Sequence, residues 1–180
     1  MEAIYITVPV VVIFTLRGLV VMEGNPPKKP ALSDYMDSLH YIILNNYISQ
    51  IRSGLSNLLL AIRNNNFGEI NNITAGLLRT INNFRSGGFT TVFNTMASGL
   101  TDRIRGILPC GTLVTFNSFL NFVIRRIGQI NILYNSNMLN VLPTRVRYSD
   151  IITSISDIFS LIHRTAKAKQ TRFEQKNNNR

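Results

Sequence analysis

Apolar side chains recur every three or four residues along most of the chain. One stripe comprises Met36, Leu39, Ile43, Tyr47, Ile51, Leu55, Leu58 and Ile62, and others lie within 70–84, 89–104, 112–133 and 151–162. Because an α-helix has 3.6 residues per turn, this spacing places the apolar side chains on one face of each helix. The sequence therefore predicts an all-α fold, a helical bundle of four to five helices between about residues 33 and 172.

Residues that commonly end helices separate these stripes. They are the three asparagines at 64–66, the glycine pair at 87–88, Gly106 with Pro109, and the segment 135–143. Ser149 is the expected N-cap of the last helix. The uncharged stretch 106–124 is predicted to be a central core helix rather than a membrane span, since it contains several polar side chains and a proline.

A weak internal sequence repeat favours helices of similar length. Small-Gly-Leu triplets occur at 53–55, 75–77 and 98–100, beginning 22 and 23 residues apart. Such a rhythm is typical of an up-and-down bundle. The bundle is expected to bury Leu39, Ile43, Ile51, Leu58, Ile73, Leu77, Phe93, Phe119, Ile155 and Phe159.

The N-terminal residues 3–22 are almost entirely apolar. About 20 apolar residues can span a membrane, but Pro9 and many β-branched residues favour a β-hairpin, and a buried arm against the domain or a neighbouring subunit is a third interpretation. Lys28 and Lys29 follow the apolar run, which favours a cytosolic C-terminal body. The predicted membrane-anchor residues are Ile4, Val8, Val11, Ile13, Phe14, Leu19 and Val20.

These patterns predict four segments. Residues 1–24 form the apolar anchor or arm, 25–32 a Pro/Lys linker, 33–163 the helical bundle, and 164–180 a basic tail that continues the last helix. The expected location is membrane-associated with the body in the cytosol, or a virion if the protein is viral, and not secreted.

The chain carries a formal net charge of +10, with 19 lysines and arginines against 9 acidic residues. This excess predicts an anionic partner, either nucleic acid or acidic lipid headgroups. Single arginines before helix stops, such as Arg63 and Arg85, are interpreted as partners of free carbonyl groups and of the negative end of the helix dipole. The remaining basic positions are predicted to form the anionic-partner surface: Arg125, Arg126, Arg145, Arg147, Lys169, Arg172 and Lys176.

The positions of four of these arginines favour binding over helix capping. Arg125 and Arg126 point about 100° apart on a helix, so one cap cannot use both. Arg145 and Arg147 follow a Pro143-Thr144 break before the expected last helix, where a cation near a helix N-terminus does not stabilise the fold.

The sequence offers little material for catalysis. Cys110 is the only cysteine, His40 and His163 fall in different predicted helices, and no phosphate-binding loop or nucleophile motif occurs. The chain is therefore expected to be non-enzymatic and to need no cofactor or metal.

The sequence is consistent with three functions, of which the first is the expected one and the other two are alternatives. The first is a membrane-anchored basic protein that binds an anionic partner, such as a viral structural or accessory protein. The second is a soluble, self-assembling nucleic-acid-packaging protein whose N-terminal segment pairs with a neighbouring subunit in a homo-oligomer. The third is a membrane-disrupting helical protein that inserts residues 106–124.

Overall fold

The computed structural model describes residues 32–93 and 98–179. Five α-helices occur in these ranges: α1 (Leu32–Arg63), α2 (Ile70–Ser86), α3 (Ser98–Ile107), α4 (Phe116–Asn135) and α5 (Leu142–Asn178). Short 3₁₀ helices cover Phe89–Phe93 and Met138–Asn140. No strand occurs among the described residues, so the predicted all-α class is confirmed. The predicted membrane-anchor residues, from Ile4 to Val20, lie outside the described residues.

The predicted helix breaks coincide with the ends of the helices. α1 ends before the asparagine run, where Asn65 has a φ of 55°, and α2 ends before Gly88, which has a φ of 76°. Asparagine and glycine tolerate this left-handed conformation better than other residues, so both sites can turn the chain sharply. α4 starts behind Thr115, whose hydroxyl accepts a hydrogen bond from the Ser118 amide at 3.0 Å.

The chain divides into two compact units. The larger unit, Ile43–Lys167, contains parts of all five helices. The smaller unit combines residues up to Ile42, described from Leu32 onward, with those from Ala168 onward. Within the smaller unit, the rings of Tyr41 and Phe173 stack with centroids 5.5 Å apart.

Phenylalanine rings form a continuous cluster in the core of the larger unit. Phe93 stacks on Phe116 at 4.6 Å between centroids, Phe116 contacts Phe119 at 5.9 Å, and Phe119 contacts Phe159 of α5 at 5.3 Å. Phe84 joins the cluster from α2 through Phe116 at 6.0 Å. All these rings are buried, so the apolar faces of three α-helices and a 3₁₀ helix meet in one core.

The predicted core is correct at most positions and wrong at three. Leu39 and Ile43 are exposed, because α1 buries Leu44 and Ile48 in their place. The buried stripe coincides with the predicted one from Ile51 onward. Stripes one residue apart satisfy the same three-and-four spacing, so the pattern alone does not select between them.

Ile73 is the third exception, being only half-buried while its neighbour Thr74 is buried. The Thr74 hydroxyl lies 2.8 Å from both the Ile70 carbonyl oxygen and Asn131 Oδ1 of α4. This pairing allows a polar side chain to occupy a core position without losing its hydrogen bonds.

Two predicted features of the chain's second half are also wrong. Residues 106–124 do not form one helix, because α3 ends at Ile107 and α4 begins at Phe116. Ser149 is not an N-cap, since α5 begins at Leu142 and Ser149 is buried in its interior. Within the described ranges, no helix combines the length and the apolar character needed to cross a membrane.

Candidate anion-binding groove

An open groove of about 900 Å³ runs along the first three turns of α5 in the larger unit. Ile107 at the end of α3 and Phe122 and Arg126 of α4 line one side of it. The α5 side is lined by Leu142, Pro143, Val146, Arg147, Asp150, Ile151 and Ser154. Positions four residues apart follow one another on a helix face, so these side chains form two adjacent rows. At 1.5 Å per residue, the face from Leu142 to Ser154 is about 18 Å long.

The N-terminus of α5 lies at one end of the groove. Pro143 lies in the first turn, where its missing N–H group costs nothing and its fixed φ favours the helix. The Arg145 amide donates to the Val141 carbonyl oxygen at 2.9 Å. The first turns therefore present the positive end of the helix dipole next to Leu142 and Val146.

Arg126 is held in place by an aromatic ring and an amide. Its guanidinium carbon lies 5.0 Å from the centre of the Phe122 ring, and its Nη1 donates to Gln129 Oε1 at 2.9 Å. The Tyr148 hydroxyl donates to the same Gln129 oxygen at 3.0 Å, which fixes the amide. The Nε of Arg126 is buried and has no hydrogen-bond partner in the described part of the chain. A guanidinium oriented in this way, with N–H groups beyond the one that it donates to Gln129, suits an anion such as a carboxylate or phosphate.

Arg147 approaches the groove from α5. Its guanidinium carbon lies 5.7 Å from the centre of the Tyr148 ring, and the side chain is exposed. Among the described residues, neither Arg126 nor Arg147 forms an ion pair with a carboxylate. The groove contains one acidic side chain, Asp150, beside two cationic ones, so its lining has a positive balance.

The structure brings together two of the seven residues predicted for the anionic-partner surface. Arg126 and Arg147 line the groove, whereas exposed Arg125 and half-buried Arg145 do not. The three tail residues belong to the smaller unit, where Lys169 is half-buried and Arg172 and Lys176 are exposed.

The arginines that precede helix ends bind side chains rather than the expected carbonyl groups. Arg63 donates from Nε to Ser149 Oγ and from Nη2 to Thr153 Oγ1, each at 3.2 Å, and thereby joins α1 to α5. Arg85 Nη1 donates to Asn121 Oδ1 and joins α2 to α4. The expected carbonyl contacts are replaced by these side-chain contacts, because hydroxyl and amide oxygens of neighbouring helices lie within reach. Arg63 and Arg85 do lie in the last turns of α1 and α2, where the helix dipole favours a cation.

Sequence reasoning missed the residues that position the arginines. Phe122 stands four residues before Arg126, a spacing that brings two side chains together on a helix, and it could have indicated the ring–guanidinium contact. Gln129 and Tyr148 carry no such signal, since their contact joins two helices.

A second polar pair lies elsewhere in the larger unit. Arg52 Nη1 approaches His163 Nδ1 at 2.6 Å, so Nδ1 acts as the acceptor in the neutral imidazole. Burial lowers the pKa of His163 below its ordinary value, and the positive charges of Arg52 and Lys167 lower it further. Among the described residues, no cluster of histidine, cysteine and acidic side chains could hold a metal ion.

These features define an all-α basic protein with an open groove that places two arginines beside aliphatic side chains. Comparison with protein-family models, with curated proteins and with solved structures found no match to the chain.

Proposed function

We propose that this chain is a non-enzymatic basic protein that binds an anionic partner, acidic lipid or nucleic acid, through Arg125, Arg126, Arg145 and Arg147. The observation that supports this most is the convergence of Arg126 and Arg147 on one open groove from two different helices. Neither guanidinium is neutralised by an ion pair within the described residues. A phosphate or carboxylate in the groove would supply the missing counter-charge.

The position of Arg145 and Arg147 favours contact over a structural role. Both lie within the first two turns of α5, close to the positive end of its dipole. A cation there destabilises a helix by a few tenths of a kcal/mol to about 1 kcal/mol. Because the helix dipole does not favour cations at these positions, binding explains them better than a role at the end of the helix does.

The test compares two double variants that remove the same charge. Arg145→Gln with Arg147→Gln should weaken binding of the full chain to a duplex oligonucleotide or to phosphatidylserine vesicles. The dependence of log Kd on log salt concentration should fall by about one unit for each phosphate that the variant no longer binds. Arg79→Gln with Arg164→Gln, two exposed arginines of α2 and α5 outside the groove, is the control and should change binding less. Equal effects of the two variants would show that net charge, and not this surface, drives binding.

Stability provides an independent check on the same variants. Replacing Arg145 and Arg147 should change the melting temperature little, since relief from the helix dipole offsets the loss of the exposed contact between Arg147 and the Tyr148 ring. Arg126→Gln, by contrast, should cost about 1 kcal/mol, because it removes both the ring contact and the hydrogen bond to Gln129. A melting temperature that drops sharply in the Arg145/Arg147 variant with binding intact would refute the proposal.

We further propose that residues 1–24 hold the protein at a membrane with its basic body in the cytosol. The support is the apolar run at 3–22 followed by Lys28 and Lys29. Alkaline carbonate extraction should leave the full chain in the membrane pellet and release a truncation that begins at residue 31. If both are released equally, the anchor proposal fails.

A further inference from the structure

Four large side chains in a short segment leave much of their apolar surface in water. Met138 is 47% exposed, Val141 44%, Leu142 58% and Val146 50%. Single exposed aliphatic residues are common, but a cluster within nine consecutive residues is a feature of interaction surfaces. We call these four residues the apolar rim.

The apolar rim is one continuous feature of the fold. Val141 donates its amide to the Met138 carbonyl oxygen at 3.1 Å, which closes the 3₁₀ turn, and α5 begins at the next residue. Leu142 and Val146, one turn apart on α5, both line the groove. Leu139, within the same segment, is buried and fixes the turn to the core.

Cationic groups surround the apolar rim. Arg145 and Arg147 flank Val146 in sequence, and Arg126 lies across the groove from Leu142 and Val146. The N-terminal amides of α5 add the positive end of the helix dipole. The surface therefore combines exposed aliphatic groups with anion-binding groups.

We infer that the apolar rim and its arginines dock on an anionic lipid bilayer, an inference that rests on the anion-binding function proposed above. Leu142 and Val146 enter the boundary between headgroups and acyl chains, while Arg145 and Arg147 bind lipid phosphates and carboxylates. The long arginine side chain suits this arrangement, because its apolar stem can follow the aliphatic residues while its charge stays at headgroup level.

The alternative anionic partner fits this surface less well. A nucleic-acid backbone offers phosphates, but it has no apolar interior in which the exposed aliphatic groups could be buried. Binding to single strands usually stacks bases on exposed aromatic rings, yet Phe122 and Tyr148 in this region are buried beside Arg126 and Arg147. The one acidic side chain of the groove, Asp150, lies two turns after Leu142, about 12 Å along α5, and so can remain outside the headgroup layer.

The test uses the full chain with two kinds of vesicle, phosphatidylcholine alone and phosphatidylcholine containing phosphatidylserine. Binding to the first kind measures the contribution of apolar groups alone, and the increase on the second kind measures the contribution of the anionic headgroups. Leu142→Gln with Val146→Gln should lower the affinity for the phosphatidylserine vesicles about tenfold, since about half of each side chain's transfer energy is lost. Leu60→Gln in α1, where the leucine is 53% exposed, is the control and should leave that affinity unchanged.

A depth measurement separates insertion from simple attraction. An environment-sensitive dye is attached to a cysteine at position 146 (Val146→Cys) in a chain whose native cysteine is replaced (Cys110→Ser). Its emission should shift to shorter wavelength with phosphatidylserine vesicles but not with a duplex oligonucleotide. The same dye on Leu60→Cys should not shift with either.

The outcomes distinguish this inference from the proposed function. An unshifted dye at position 146, or vesicle affinity that the aliphatic substitutions do not change, would overturn the lipid inference even if Arg145→Gln with Arg147→Gln lowers binding. If that arginine variant binds the oligonucleotide more weakly but binds vesicles as before, nucleic acid is the partner and the lipid inference is overturned as well. If the arginine variant retains full binding to both partners, the proposed function itself fails.

Discussion

Gly54 provides a sharp test of the packing between α1 and α2. A Cβ atom placed on Gly54 would lie 2.6 Å from Cδ2 and 2.8 Å from Cγ of Leu77. Leu77 is buried, with only 3% of its surface exposed, so it has little room to move away. The glycine therefore lets the two helices pack at a distance that alanine would not allow.

The expected free-energy change follows from two opposing effects. Alanine in a helix interior is favoured over glycine by about 1 kcal/mol. Inserting a methyl group into a packed interface costs about 1–3 kcal/mol. Gly54→Ala should therefore leave stability unchanged at best and lower it by as much as about 2 kcal/mol.

Gly76, in α2, is the matched control. Nothing lies within 4 Å of a Cβ at this position, so Gly76→Ala should raise the free energy of unfolding by about 1 kcal/mol. Both variants gain the same helix propensity, and the difference between them, about 1–3 kcal/mol, isolates the steric cost.

Urea unfolding followed by far-ultraviolet circular dichroism measures both variants. Adding Leu77→Ala to Gly54→Ala should cost less than adding it to the native chain, because the new methyl group fills part of the space that the leucine leaves. If Gly54→Ala stabilises the protein as much as Gly76→Ala does, the packing inferred for α1 and α2 is wrong.

Two further predictions concern a titratable pair and a helix cap. The pKa of His163 is lowered in the folded state, so the unfolded chain takes up a proton first as the pH falls through about 6.5. The free energy of unfolding should therefore decrease progressively below that pH. His163→Gln should remove this decrease, which urea midpoints at neutral and mildly acidic pH would measure. If the native chain and the His163→Gln variant lose stability equally in acid, another group is responsible. Thr115→Ala removes the acceptor of the Ser118 amide at the start of α4 and should cost about 1 kcal/mol, whereas Thr115→Ser keeps the hydroxyl and should cost much less; equal losses in thermal unfolding would contradict the cap.

Much of the fold follows from local chemistry that the sequence carries. The spacing of apolar residues predicted the all-α class, and the asparagine and glycine runs predicted the ends of α1 and α2. These signals are reliable because they depend on neighbouring residues within one helix. The stripe on α1 was placed wrongly at Leu39 and Ile43 because two stripes with the same spacing were available, and only the packing of Leu44 and Ile48 selects one.

The candidate groove was predictable only in part. The charge of the chain and the positions of Arg126 and Arg147 were enough to mark both residues for an anionic partner. Their meeting in one groove depends on α4 and α5 lying side by side, which no local pattern specifies. The contact of Tyr148 with Gln129 and the exposure of Leu142 arise from the same packing.

The three small-Gly-Leu triplets show where sequence stops and tertiary structure begins. Their leucines, Leu55, Leu77 and Leu100, are all buried, as the apolar spacing of each helix predicts. Their glycines look alike in sequence, yet a Cβ would collide with Leu77 at Gly54 and would meet nothing within 4 Å at Gly76 and Gly99. The sequence by itself determined that these three leucines belong to apolar stripes, because that depends on spacing along the chain. Only the tertiary structure decided which glycine permits close packing, because that depends on what another helix places opposite it.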